Sequence, residues 1–199
     1  EDLQPINIIF GGDYNSYNKF FDVPRLPKEI RNLPVTIITE STYGYMNSDE
    51  IVYCFEDNIV QFFNKYPNGS VVIPTFALRT HEIVSRISLM QQFGLICTCS
   101  VYVDGKMSID FSKLVENGAF ECISEDRLKY LPRRFKYIRK EIRENRYTSM
   151  SPQIIIASSG TGSYGPSKLY LQKMFSREDV LFHFTGYPVP GTVARRLYD

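Results

Sequence analysis

Five short apolar runs, each closed by Gly, Pro or small polar residues, constrain this chain more than any other feature. They are Ile6–Phe10, Val35–Thr39, Val71–Ile73, Ile154–Ala157 and Leu181–Phe184. They are short and rich in β-branched and aromatic residues, which is how strands buried in a parallel sheet read. Helical spacing fills the intervals. Ser48 can cap a helix opening at Asp49-Glu50, whose apolar set Ile51, Phe55, Ile59, Phe62 and Phe63 runs until Tyr66-Pro67-Asn68-Gly69 stops it. Ile83, Ile87, Met90 and Phe93 predict a second helix ending at Gly94. A strand over about 95–103 and an Asp104-Gly105 turn lead to a third helical region with Phe111, Leu114 and Val115. Leu169, Leu171 and Met174 mark a further helix after the run at 154–157. This alternation predicts an α/β fold, a mostly parallel sheet with helices on both faces.

Ligands of such sheets bind beyond the carboxyl ends of the strands. The residues that follow the runs are distinctive: Gly11-Gly12-Asp13-Tyr14, Glu40-Ser41-Thr42-Tyr43-Gly44, Pro74-Thr75-Phe76-Ala77-Leu78-Arg79, and Ser158-Ser159-Gly160 followed by Phe184-Thr185-Gly186-Tyr187. Taken alone, Asp13 reads as a turn carboxylate presented by two glycines. Glu40 reads as a strand-end residue that caps a turn. Ser158–Ser163 reads either as a tight strand-to-helix loop or as a set of amides aimed at a phosphate.

In this order and spacing, the stretches resemble the β-CASP branch of the metallo-β-lactamase-fold nucleases. That group includes the endonuclease of eukaryotic pre-mRNA 3′-end cleavage, bacterial RNase J enzymes and DNA-repair nucleases. The resemblance runs almost end to end. It implies a short stub of the metallo-β-lactamase lobe over residues 1–22, a Pro- and charge-containing connector over 23–34, and a β-CASP domain over 35–199. It also implies that Asp13 bridges two zinc ions in the intact parent, where the metal pair activates water for attack on phosphorus. Glu40 then lies at the domain interface and holds a catalytic His from further along, raising its basicity.

Other positions depart from the family pattern. The upstream His-x-His-x-Asp-His cluster is absent, and the two histidines, His81 and His183, fall in a predicted helix and a predicted strand and read as structural. The chain starts without Met and reads as a piece of a longer enzyme, expected to bind no zinc and to be inactive by itself. Pro74–Arg79 resembles the family's Pro-x-Phe-Ala-Leu-Gly-Arg without the glycine before Arg79, which leaves the role of Arg79 in RNA binding open. For Ser158, Ser159, Gly160, Thr161 and Gly162 the resemblance implies contact with an RNA backbone or terminal phosphate.

A net charge of +1 over 199 residues means that any nucleic-acid contact must come from local clustering. The densest cluster runs from Arg127 to Arg146. Leu131, Phe135, Ile138 and Ile142 recur there at helical steps, predicting an amphipathic helix with its Lys and Arg outward. That face is either merely solvated or, through Arg133, Arg134 and Lys136, a sequence-blind contact to the RNA backbone. Cys54, Cys97, Cys99 and Cys122 lack metal-site spacing and read as buried, reduced thiols of a cytoplasmic protein. No apolar run approaches the roughly 18 residues of a membrane span, so no membrane partner is expected.

The resulting reading is an RNA-clamping domain of a zinc-dependent ribonuclease that hydrolyses phosphodiesters. Its partners would be single-stranded RNA and the remaining metallo-β-lactamase lobe of the same polypeptide, with a homodimer of the parent also open. Two alternatives stand beside it: a metal-free pseudonuclease acting as an RNA-binding or scaffold subunit, and a DNA-repair nuclease of the same family.

Overall fold

A computed structural model of the chain describes residues 7–12, 25–39, 54–118, 123 and 125–199. By contacts the chain divides into two units, Glu1–Tyr53 and Cys54–Asp199. In the first, strands β1 (Asn7–Gly12) and β2 (Val35–Thr39) pair in parallel, with Asn7 opposite Val35 and Phe10 opposite Ile38. The domain boundary expected over residues 23–34 thus lies between two paired strands, and the division by contacts falls after Tyr53.

The second unit is built on a five-stranded sheet in the order β5-β4-β6-β3-β7, every pair parallel. Its strands are β3 (Ser70–Pro74), β4 (Ser100–Asp104), β5 (Lys136–Tyr137), β6 (Gln153–Ala157) and β7 (Val180–Phe182). Every residue of β3 and β6 is buried, which in a parallel sheet requires cover on both faces. Because side chains alternate along a strand, Val72 and Ile155 share one face. There they form a cluster with Tyr170 and Met174 of α6 (Gly165–Met174). Val71, Ile73, Ile154 and Ile156 point the opposite way and are equally free of solvent.

Helices α1 (Phe55–Lys65) and α2 (Thr80–Gln92) bury the predicted Ile59, Phe62 and Phe63 in one and Ile83, Ile87 and Met90 in the other; the expected start of the first at Ser48–Ile51 lies outside the described residues, and α1 begins after Cys54. Phe93 lies past the end of α2 and is exposed. Helix α3 (Lys106–Glu116) begins directly after β4, and α4 (Glu125–Leu128), α5 (Glu144–Tyr147) and α7 (Val193–Tyr198) are short. Among the described residues no helix is long and apolar enough to cross a membrane.

The structure corrects two expectations. The basic segment is no amphipathic helix: α4 ends at Leu128, residues 136–137 pair with β4, and only one turn of 3-10 helix (Lys140–Ile142) and α5 follow. Pro132 cannot donate a helical hydrogen bond, and burying Phe135 and Ile138 beside β4 outweighs the local periodicity. The expectation of buried thiols fails at Cys97, which is exposed in the irregular segment that replaces residues 95–99 of the predicted strand. Cys54 and Cys99 are half-buried, none of the three is in a disulfide, and Cys122 lies outside the described residues.

Candidate functional site at the carboxyl end of the sheet

The register places Pro74, Ala157 and Asp104, the last residues of β3, β6 and β4, side by side. The segments that leave these strands therefore start at one level. Thr75 donates its amide to the Ala157 carbonyl at 3.0 Å, and the His183 amide donates to the Val72 carbonyl at 3.0 Å. The Thr185 hydroxyl donates to the Thr75 hydroxyl at 3.0 Å, and the Arg79 guanidinium donates to the Thr185 carbonyl. The ring of Phe76 lies where a side chain on Gly160 or on Gly186 would sit, 2.9 Å from an added Cβ in either case. So Pro74–Arg79, Ser158–Ser163 and Phe184–Tyr187, far apart in sequence, form one surface. Asp13 and Glu40 lie outside the described residues.

Gly105 closes the surface on its other side. Its φ of +135° and an added Cβ only 2.0 Å from the Ser158 hydroxyl oxygen both exclude a side chain. The Ser158–Gly162 loop spends much of its polarity internally. The Ser158 amide donates to the Asp104 carbonyl at 3.0 Å and the Gly162 amide to the Ser159 carbonyl at 3.3 Å. The Ser167 hydroxyl donates to the Ser159 carbonyl at 2.7 Å, tying the loop to the first turn of α6.

Beneath the loop, Asp104 is 1% exposed and holds two partners. Arg143 donates to both carboxylate oxygens, at 2.7 and 2.9 Å, and the Tyr170 hydroxyl donates at 2.8 Å. The hydrogen bonds to Asp104 raise the pKa of Arg143 further, and burial followed by the nearby carboxylate raises that of Tyr170. Both groups keep their protons at neutral pH, so the site has one fixed ion pair and one fixed donor. Arg146 is likewise engaged, donating to the Tyr102 hydroxyl at 2.8 Å while lying over its ring. Local sequence places Asp104 only in a turn and both arginines on an outward face, because the partners that fix them lie 39 and 44 residues away.

Neither histidine is placed as a ligand. His81 is fully buried in α2, with Nε2 2.9 Å from the Ser112 hydroxyl and its ring edge-on to Phe111 and Phe135. Burial lowers its pKa to about 4, so it is neutral at physiological pH. His183 packs edge-on against Phe55, and burial together with the charge of Arg86 lowers its pKa. Among the described residues no three His, Cys, Asp or Glu side chains are grouped to hold a metal, so these residues do not fit a zinc site. Arg133 and Arg134 are exposed, and Lys136, also exposed, donates to the Ser100 hydroxyl at 2.9 Å.

The family model described as the Beta-Casp domain matches residues 80–197. Among curated proteins, the transcription termination factor FttA of Methanosarcina mazei is 27% identical over 214 residues, covering 96% of this chain and 32% of that protein. The endoribonuclease ysh1 of Emericella nidulans is 25% identical over 217 residues, covering 98% of this chain and 24% of its own length. That of Schizosaccharomyces pombe is 22% identical over 206 residues, with 98% and 26% covered. The chain therefore spans about a quarter to a third of the length of these relatives.

Proposed function

This chain belongs to the Beta-Casp domain family, and from that premise we propose that it is the RNA-clamping domain of a zinc-dependent, metallo-β-lactamase-fold ribonuclease, inactive as this piece alone. The observation that carries the reading is the convergence of three strand-end stretches on one face at the carboxyl end of the sheet, where an α/β domain keeps its ligand contacts. The endoribonuclease names of the fungal relatives support RNA as the substrate. Zinc ligands would come from outside the described residues. Asp13 is proposed as a bridging carboxylate in the intact parent, and Glu40 as the carboxylate that orients a catalytic His at the lobe interface. Arg79, Ser158, Ser159, Gly160, Thr161 and Gly162 are proposed to face the RNA at the sheet end, with Arg133, Arg134 and Lys136 as further backbone contacts.

Cleavage of an end-labelled single-stranded RNA by the intact parent tests this. A positioned general acid or base contributes about 10²- to 10⁴-fold, so Glu40→Gln, which leaves the catalytic His without its orienting carboxylate, is expected to cost about the lower end of that range and Asp13→Ala its upper end or more. Wild-type cleavage by Asp13→Ala would overturn the reading.

A further inference from the structure

Two open grooves lie side by side at the sheet end. One, of about 530 Å³, is bordered by Tyr164, Lys168, Leu169 and Gln172 at the start of α6. The other, of about 420 Å³, is bordered by Lys106 and Lys113 of α3 and by Arg139 and Lys140. Arg143 and Pro166 line both, so the two adjoin and together make a channel-like stretch of surface. Six cationic side chains line it against three carboxylates, a surplus of three charges in a chain whose net charge is +1. One of those carboxylates, Asp104, is already neutralised by Arg143 below the floor. The ion pair between Lys113 and Asp110 is long, at 4.0 Å, and exposed, so it holds Lys113 only weakly. Lys106, Lys113, Arg139, Lys140 and Lys168 are all exposed. Tyr164 stands among these charges with 63% of its surface in solvent.

We infer that this channel is a track for a single-stranded nucleic-acid backbone, with Lys106, Lys140 and Lys168 taking successive phosphates and Tyr164 stacking a base. The inference rests on the RNA-clamping reading above and adds to it a site built from residues outside the three converging stretches. A positively charged groove with an exposed aromatic ring is the combination that binds single strands without reading sequence. An acidic peptide would use the cations and have no use for the ring.

Fluorescence anisotropy of the chain with a labelled U12 oligonucleotide, across a salt series, tests it. Each single-strand phosphate contact contributes a slope of about 0.7 in log K against log salt, so Lys106→Ala/Lys140→Ala/Lys168→Ala should flatten the slope by about 2. At 0.1 M salt that corresponds to about 100-fold weaker binding. The matching triple Lys→Arg variant should retain the slope. Tyr164→Ala should weaken binding with the slope unchanged, and Tyr164→Phe should restore it. These are surface side chains, and circular dichroism of each variant verifies the fold. If the chain binds U12 and the triple alanine variant keeps its affinity and slope, the channel is refuted while the RNA-clamping reading stands. No binding of U12 by the folded wild-type chain refutes both. Binding of a labelled dodeca-glutamate as tight as that of U12 refutes the nucleic-acid assignment.

Discussion

Asp104→Ala should destabilise the second unit by about 4 kcal/mol. The Asp104 carboxylate is 1% exposed and the Arg143 side chain 14%, so the variant leaves a guanidinium with little access to water and no counter-charge. Breaking a buried pair by removing one partner costs about 3–5 kcal/mol. The Tyr170 hydroxyl, in a fully buried residue, loses its acceptor as well, a loss of about 1–3 kcal/mol when nothing replaces it. Both losses are relieved by the same local rearrangement, so they do not add in full. Tyr170→Phe removes one hydrogen bond to a charged acceptor and leaves the ion pair in place, which should cost about 1.5–3 kcal/mol. Urea unfolding followed by circular dichroism reads both. With a slope of about 2 kcal/mol per M, the Asp104→Ala midpoint should fall by about 2 M, and the double variant should lie well short of the two single shifts combined. A midpoint for Asp104→Ala within about 0.5 M of wild type would refute the argument that this ion pair holds the sheet end together.

Two further predictions concern the same unit. His81 titrates at about 4 in the folded chain and near 6.5 when unfolded, so below pH 6.5 the unfolded state takes up a proton that the folded state refuses. Stability should fall by about 3 kcal/mol between pH 7 and pH 4. In urea melts across that range, His81→Leu should remove most of this slope, and an unchanged slope would show that other groups cause it. Gly105→Ala should cost at least about 2 kcal/mol by thermal unfolding, because its φ of +135° strains any side chain and its Cβ meets the Ser158 hydroxyl at 2.0 Å. A melting temperature equal to wild type would mean that the loop yields freely.

What the sequence disclosed, and what it concealed, divides along the range of the interactions. The runs Val71–Ile73 and Ile154–Ala157 lie within a residue of β3 and β6, since central parallel strands must be apolar throughout and little else in a chain is. The helical stripe Ile59, Phe62, Phe63 is equally local, and it is buried as its spacing predicts. The segment from Arg127 to Arg146 carries an equally regular stripe, yet it is extended and turned, because its fate depends on the open edge of β4 rather than on its own periodicity. That edge sorts the charges of the segment. Arg143 and Arg146 are drawn inward by Asp104 and Tyr102, residues that precede them by about forty positions, whereas Arg139 and Lys140 remain outside and line the channel with Lys106 and Lys168. Arginines three residues apart thus lock a buried carboxylate and an aromatic ring in place, while their neighbours stay free to meet a polyanion. No spacing rule could separate those roles, because the carboxylate and the ring that decide them come from another strand.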